Sequence, residues 1–302
     1  MPVFSPYAQL LDELPISEHV VTVLGSETHY WVYGPDDAAL TIVIAHGYRG
    51  EHHGLEPVIA QFRGIRFIGA DMPGFGESSE LDAGHSIDDY AHWLAEFMSK
   101  TETTDAVLIG HSFGSIISSY AIANGLVNPP KLVLINPIAA PALEGPSAFL
   151  TRLTMGFYRV ALMVPERVGY WQLSNWGIIR GMSVKLAVTR DKQLRRFIHD
   201  QHHTYFGRFA SRKQVVESFA ASVSHTVGDF AEKITMPTVL IGAEKDPITS
   251  VAHLHTLADR IPNAQLHVIP DVGHLIHYEV PRIAAELILD FVGEGTLADK
   301  SR

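Results

Sequence analysis

The sequence predicts an α/β protein, built on a mostly parallel, doubly wound sheet with helices on both faces. Short apolar runs rich in Val and Ile recur along the chain, and amphipathic segments with helical spacing lie between most of them. One long interval, residues 139–230, breaks that rhythm and predicts an insertion into the sheet.

Taken in order, HVVTVLG (19–25) and THYWVYG (28–34) are divided by Ser26 and Glu27 and predict a hairpin. Six further runs follow: LTIVIAHG (40–47), IRFIGAD (65–71), AVLIG (106–110), KLVLINP (131–137), TVLIGAEKD (238–246) and QLHVIPDVGH (265–274). Their apolar residues are not restricted to alternate positions, as expected of strands covered on both faces. With the hairpin they make a sheet of about eight strands. SIDDYAHWLAEFMSK (86–100) places Tyr90, Trp93, Leu94 and Phe97 at helical spacing behind a Ser86 cap, and RIAAELILDFV after Pro281 is the final helix. Between 139 and 230 no buried strand is predicted, only helical segments such as PSAFLTRLTMGFYRVALM and DKQLRRFIHDQHHTYFGRF. This divides the chain into a core of residues 1–138 and 231–302 and a helical lid, 139–230, inserted after the sixth strand. A short polar tail follows Gly293.

The 302 residues, 46% of them hydrophobic, suffice for one large domain with an insertion. With no cysteine in the chain, disulfides, thiolate metal sites and a cysteine nucleophile are excluded. A net charge of -10 without a basic tail argues against nucleic acid or an anionic membrane as the main partner. The opening MPVFSPYAQLLDELP lacks a basic head and a long apolar run, so the expectation is a soluble cytoplasmic protein without a membrane partner. The His52-His53 and His202-His203 pairs lack an H-E-x-x-H or similar spacing, and neither a metal nor a cofactor is expected. Homo-oligomerisation is left open.

The chemistry concentrates at Gly110-His111-Ser112-Phe113-Gly114, which fits G-x-S-x-G. A buried strand runs into it and a helix leaves it, with small residues at Gly114, Ser115, Ser118 and Ser119. Such a turn strains the serine backbone, and side chains at the two glycine positions would meet the neighbouring strand and helix. It lifts the Ser112 hydroxyl above the carboxyl end of the sheet. A hydroxyl needs a base within hydrogen-bond reach, and the base needs an orienting group. Among seventeen histidines, His274 follows the last strand in PDVGHLIHYEVP, with His277 as runner-up. The orienting carboxylate is expected after the preceding strand, where IGAEKDPIT offers Asp246, with Glu244 as competitor. The alternative position after KLVLINP holds Asn136, which cannot stabilise an imidazolium as a carboxylate does. Ser112, Asp246 and His274 thus form the expected triad. Donors for an oxyanion are expected from the Phe113 N–H and from the loop IAHGYRG, at the Tyr48 N–H.

These segments together resemble the α/β-hydrolase fold superfamily, in its lidded branch of small esterases, C–C bond hydrolases, epoxide hydrolases and dehalogenases. The resemblance rests on HGY at 46–48, DMPGFGES at 71–78, GHSFG at 110–114, and GAEKDPI with GHLIHYEVP, and it spans nearly the whole chain except the lid. It implies that the D-x-P-G-x-G-x-S loop is structural, turning the chain beside the site. Epoxide hydrolases and dehalogenases of this branch carry an aspartate at the elbow, where this chain has Ser112. Ring-cleavage C–C hydrolases usually carry H-G-x-G-P-G and a second glycine after the elbow, where this chain has HGYRG and GHSFGS. The expectation is therefore a carboxylic ester hydrolase (EC 3.1.1) acting on a small apolar ester through an acyl-enzyme. The alternatives are a C–C bond hydrolase of the meta-cleavage-product type and a ligand-binding or signalling protein that keeps the fold. Lid aromatics such as Trp171, Trp176 and Tyr205 are candidates for the substrate wall, and Arg190, Lys192, Arg195 and Arg196 read as a solvated helix face.

Overall fold

Eight strands form one sheet in the computed structural model, which describes residues 3–141, 148–293 and 295–298. They are β1 (Ile16–Val23), β2 (Ser26–Tyr33), β3 (Leu40–Ala45), β4 (Ile65–Ala70), β5 (Val107–His111), β6 (Leu132–Ile135), β7 (Thr238–Ala243) and β8 (Ala264–Ile269). Their spatial order is β1-β2-β4-β3-β5-β6-β7-β8. β2 runs antiparallel to β1 and β4, and all other neighbours are parallel.

The strand sequences explain the layering. Val43, Leu108, Leu134 and Leu240 belong to one core, while Ile42, Ile109, Val133 and Ile241 belong to the other. Alternate residues of one strand face opposite sides, so a sheet buried on both faces needs apolar residues at both parities. Helices α1 (Ile87–Lys100) and α2 (Phe113–Ala123) cover the first face with Trp93, Phe97, Ile116 and Ile117. The C-terminal helix Pro281–Val292 covers the second with Ala284, Ala285 and Ile288. β1, at the edge, is mostly exposed.

The hairpin forms with its turn two residues before the predicted Ser26-Glu27 divider. Leu24 and Gly25 occupy it at φ 48° and 86°, and Ser26 is already paired with Val23. A two-residue turn with positive φ at both positions matches the twist of the flanking strands, and glycine at the second position removes the steric cost.

Among the described residues, five α-helices lie between β6 and β7: α3 (Ala148–Met163), α4 (Glu166–Leu173), α5 (Trp176–Leu186), α6 (Lys192–Tyr205) and α7 (Arg212–Ser222). Residues 142–147, near the start of the predicted helical interval, lie outside the described residues. Past Gly293, Thr296–Leu297 pairs with Phe62–Arg63 as a small second sheet, so part of the polar tail is ordered by backbone pairing. No helix among the described residues is long and apolar enough to cross a membrane.

The predicted Ser86 cap is a full capping box: its side chain accepts from the Asp89 N–H, and the Asp89 carboxylate accepts from the Ser86 N–H. Ser86→Ala should lower the unfolding free energy by about 1 kcal/mol in urea denaturation. An unchanged midpoint would show that the packing of Trp93 and Phe97 fixes this helix without its cap.

Candidate active site

Ser112 stands between β5 and α2 with φ 51° and ψ -114°, a conformation that a non-glycine residue adopts only under constraint. The constraint is close packing. A Cβ on Gly114 would lie 2.0 Å from the Ala45 carbonyl oxygen, and one on Gly110 would lie 2.7 Å from the Gly114 carbonyl oxygen. The turn is pinned on both sides, since the Ser112 N–H donates to the Ile135 carbonyl at 3.0 Å and the Gly114 N–H to the His46 carbonyl at 3.1 Å.

The loops after β7 and β8 deliver the other two side chains. Ser112 Oγ and His274 Nε2 are 2.8 Å apart, and His274 Nδ1 lies 2.7 Å from Asp246 Oδ2. Asp246 Oδ2 also accepts from Asn136 Nδ2 at 3.0 Å, while Oδ1 accepts from the Ile248 N–H at 2.8 Å. Burial disfavours the Asp246 carboxylate, but His274 and the surrounding donors outweigh it and hold its pKa below the ordinary value. Asn136, which takes no acid role, is a donor to the acid, at the end of β6 with φ 46°. Its position at a strand end was a signal in the sequence, but the partner across the sheet was not.

The loop after β3 reaches Ser112 from the other side. A Cβ on Gly47 would lie 3.0 Å from His111 Nδ1 and 3.3 Å from Ser112 Cβ, so a side chain there would press on both neighbours. The N–H groups of Tyr48 and Phe113 donate no hydrogen bond among the described residues. The Tyr48 hydroxyl donates to the Val215 carbonyl at 2.9 Å, fixing the loop against α7. His46 accepts from the Met72 N–H through Nε2 at 2.8 Å, leaving Nδ1–H to donate to the Gly47 carbonyl at 2.8 Å. Asp71 opens the 71–78 loop, and its carboxylate accepts from the His52 N–H and the Glu77 N–H, tying that loop to its neighbour.

Two buried residues outside the predicted set shape the region. Arg49 donates to the Phe206 carbonyl from Nε and to the Leu173 carbonyl from Nη2, each at 2.8 Å, joining the β3 loop to α4 and the end of α6. Glu51 Oε1 is 2.6 Å from His53 Nδ1, while Oε2 has no partner among the described residues. Neither belongs to a motif, so only the folded arrangement identifies them.

A cavity of about 170 Å³ opens over Ser112, lined by Tyr48 and His274 from the core and by Met182, Leu186 and Phe206 from the inserted helices. Tyr205 lines it as well, whereas Trp171 and Trp176 are exposed and do not. Both sit on outer helix faces, which helical spacing alone could not distinguish from inner ones. His277 lines the cavity but has no hydrogen bond to Ser112, and Glu244 is turned to the Asp271 N–H. Among the described residues, His52, His53 and Glu56 bring metal-ligating atoms within 4.8 Å of one another. Each already makes a hydrogen bond, to Asp71, Glu51 and Tyr33 respectively.

A sequence model of the alpha/beta hydrolase family matches residues 42–287. The chain belongs to this family. As an alpha/beta hydrolase it is 25% identical over 277 residues to the uncharacterized hydrolase YugF of Bacillus subtilis, covering 90% of this chain and 96% of that one. It is 24% identical to the 2-hydroxy-6-oxononadienedioate/2-hydroxy-6-oxononatrienedioate hydrolase of Cupriavidus pinatubonensis, covering 90% and 94% of the two chains. Among solved structures, the esterase EaEST from Exiguobacterium antarcticum superposes with a TM-score of 0.75 at 18% identity, covering 92% of this chain and 100% of that one. The likeness to EaEST is one of fold.

Burial pushes the pKa of His46 down from 6.5 to about 4 and that of His111 to about 3; His277 is also held well below its ordinary value. Between about pH 6.5 and 4 the unfolded chain therefore binds protons that the folded chain refuses, so stability falls as pH falls. Each such histidine contributes a slope of up to about 1.4 kcal/mol per pH unit. Urea unfolding at pH 7 and pH 5 should show a marked loss at the lower pH. Equal stability at both would contradict the neutral, buried state of these rings.

Proposed function

We propose that the chain is a serine hydrolase that cleaves a small apolar carboxylic ester through an acyl-enzyme on Ser112. The observation that carries this reading is the continuous relay from Ser112 Oγ to His274 Nε2 at 2.8 Å and from His274 Nδ1 to Asp246 at 2.7 Å. In the tautomer that Asp246 favours, Nδ1 carries the proton and Nε2 is free to accept one.

Ser112 Oγ attacks the ester carbonyl carbon while its proton passes to His274 Nε2. The carbonyl π pair moves onto oxygen, and the Tyr48 and Phe113 N–H groups are the donors to that oxyanion. Collapse expels the alkoxide, which takes the proton from His274 and leaves as the alcohol. Water then attacks the acyl carbon, giving its proton to His274; the second collapse returns that proton to Ser112 and releases the acid. Asp246 orients the ring and offsets its transient positive charge.

The helices of residues 139–230 act as the lid in this reading, with Met182, Leu186 and Phe206 as the substrate wall. A volume of about 170 Å³ falls below the roughly 300 Å³ at which drug-sized pockets begin, which favours a small substrate. Among the described residues no lysine or arginine lines the cavity, which leaves a dicarboxylate such as the one named for the Cupriavidus relative without a cationic partner there. That observation favours an uncharged ester over a C–C bond hydrolase substrate of that type.

Purified protein should hydrolyse short nitrophenyl esters, and Ser112→Ala should lower kcat/KM by about 10⁴-fold or more. Asp246→Asn should lower kcat by about 10⁴-fold while leaving the fold intact. Ester hydrolysis that survives Ser112→Ala would place the nucleophile elsewhere. An inert wild type that binds small ligands tightly would favour the non-catalytic reading.

A further inference from the structure

The overall charge of -10 conceals a segregation. Residues 148–206 hold nine Lys and Arg against three Asp and Glu, so the rest of the chain is far more acidic than the mean. None of those nine cations forms an ion pair among the described residues, whereas seven cations elsewhere do.

The same helices expose large apolar side chains. Met163 is 84% exposed, Trp176 66% and Trp171 64%. On α3 the exposed residues Arg152, Leu153, Arg159, Val160 and Met163 recur at helical spacing, along one face. On α5 Trp176 and Val184 are two turns apart on one face, with the half-buried Arg180 between them. The opposite side of α5 supplies Met182 and Leu186 to the cavity. The helices are therefore not simply amphipathic: their outer faces mix bulky apolar groups with unpaired cations.

We propose that the outer faces of α3, α4 and α5 form a docking surface for an anionic lipid bilayer. Exposed apolar clusters mark interaction sites, and the occupant follows from charge. Tryptophan and methionine enter the interface, while arginine and lysine stems let the charges reach lipid phosphates. A second copy of the chain would bring like-charged helices together, whereas an anionic bilayer complements them. The acidic remainder of the molecule is repelled, which orients the chain with this face down. The expectation of no membrane partner, drawn from net charge, averages over this polarity.

The test uses the full chain with vesicles of phosphatidylcholine alone and of phosphatidylcholine with phosphatidylglycerol, read by co-sedimentation and tryptophan emission. The anionic vesicles should bind at least about a hundredfold more tightly, with a blue shift from Trp171 and Trp176 and loss at high salt. The triple charge reversal R152E/R159E/R167E should weaken binding by about a hundredfold or more. The pair W171S/W176S should remove the blue shift, with near-ultraviolet circular dichroism confirming the fold. Binding that ignores lipid charge, or no binding by wild type, overturns the proposal without any variant. A dimer that W171S/W176S dissociates, with no vesicle binding, would instead assign the face to a second copy.

Discussion

The contact between Gly114 and the end of β3 is the constraint on which the site depends. A side chain at 114 would strike the Ala45 carbonyl, so α2 can start directly against the central strand only because no Cβ is present. That closeness forces the chain to reverse within one residue, and Ser112 takes the positive φ, at a cost of about 1–3 kcal/mol. The hydrogen bonds to Ile135 and His46 hold it there. The same reversal aligns the Phe113 N–H at the helix start and brings the Gly47 backbone against Ser112. One packing contact thereby sets the place of the hydroxyl and of both candidate oxyanion donors.

Electrostatics around the relay follow from burial. Asp246 keeps its charge because Asn136, Ile248 and His274 all present donors to it. The nearby His46, His111 and His277 are pushed toward neutrality, so three of the rings around Ser112 add no competing positive charge at neutral pH. The region is also braced from above: Arg49 has no ion-pair partner among the described residues and spends its guanidinium on carbonyls of the inserted helices. That arrangement couples the β3 loop to a segment whose residues line the cavity.

Much of the fold was legible because its signals are local. Apolar runs of strand length mark β3 to β8, and Ser86 with Asp89 marks the start of α1. The turn of the first hairpin was misplaced because Ser26 and Glu27 have turn-forming character, whereas the decisive feature is the freedom of Gly25. Within the site, Ser112, Asp246 and His274 could be nominated because each follows a strand that ends at the same edge of the sheet. Asn136, Arg49 and Glu51 could not, since their partners lie on other segments and no spacing encodes them. Trp171 and Trp176 show the same limit: periodicity groups residues on a helix face but does not say which face is covered. Net charge has the same limit, since a sum does not report that cations gather on one set of helices.

In the proposed reaction Ser112 carries the acyl group between the two half-reactions. Intact-protein mass spectrometry of rapidly quenched mixtures with a slowly deacylating ester tests this directly. One acyl mass should be added per chain, located by peptide mapping on Ser112 and absent from Ser112→Ala. Turnover without any covalent adduct, or an adduct on another residue, would contradict it.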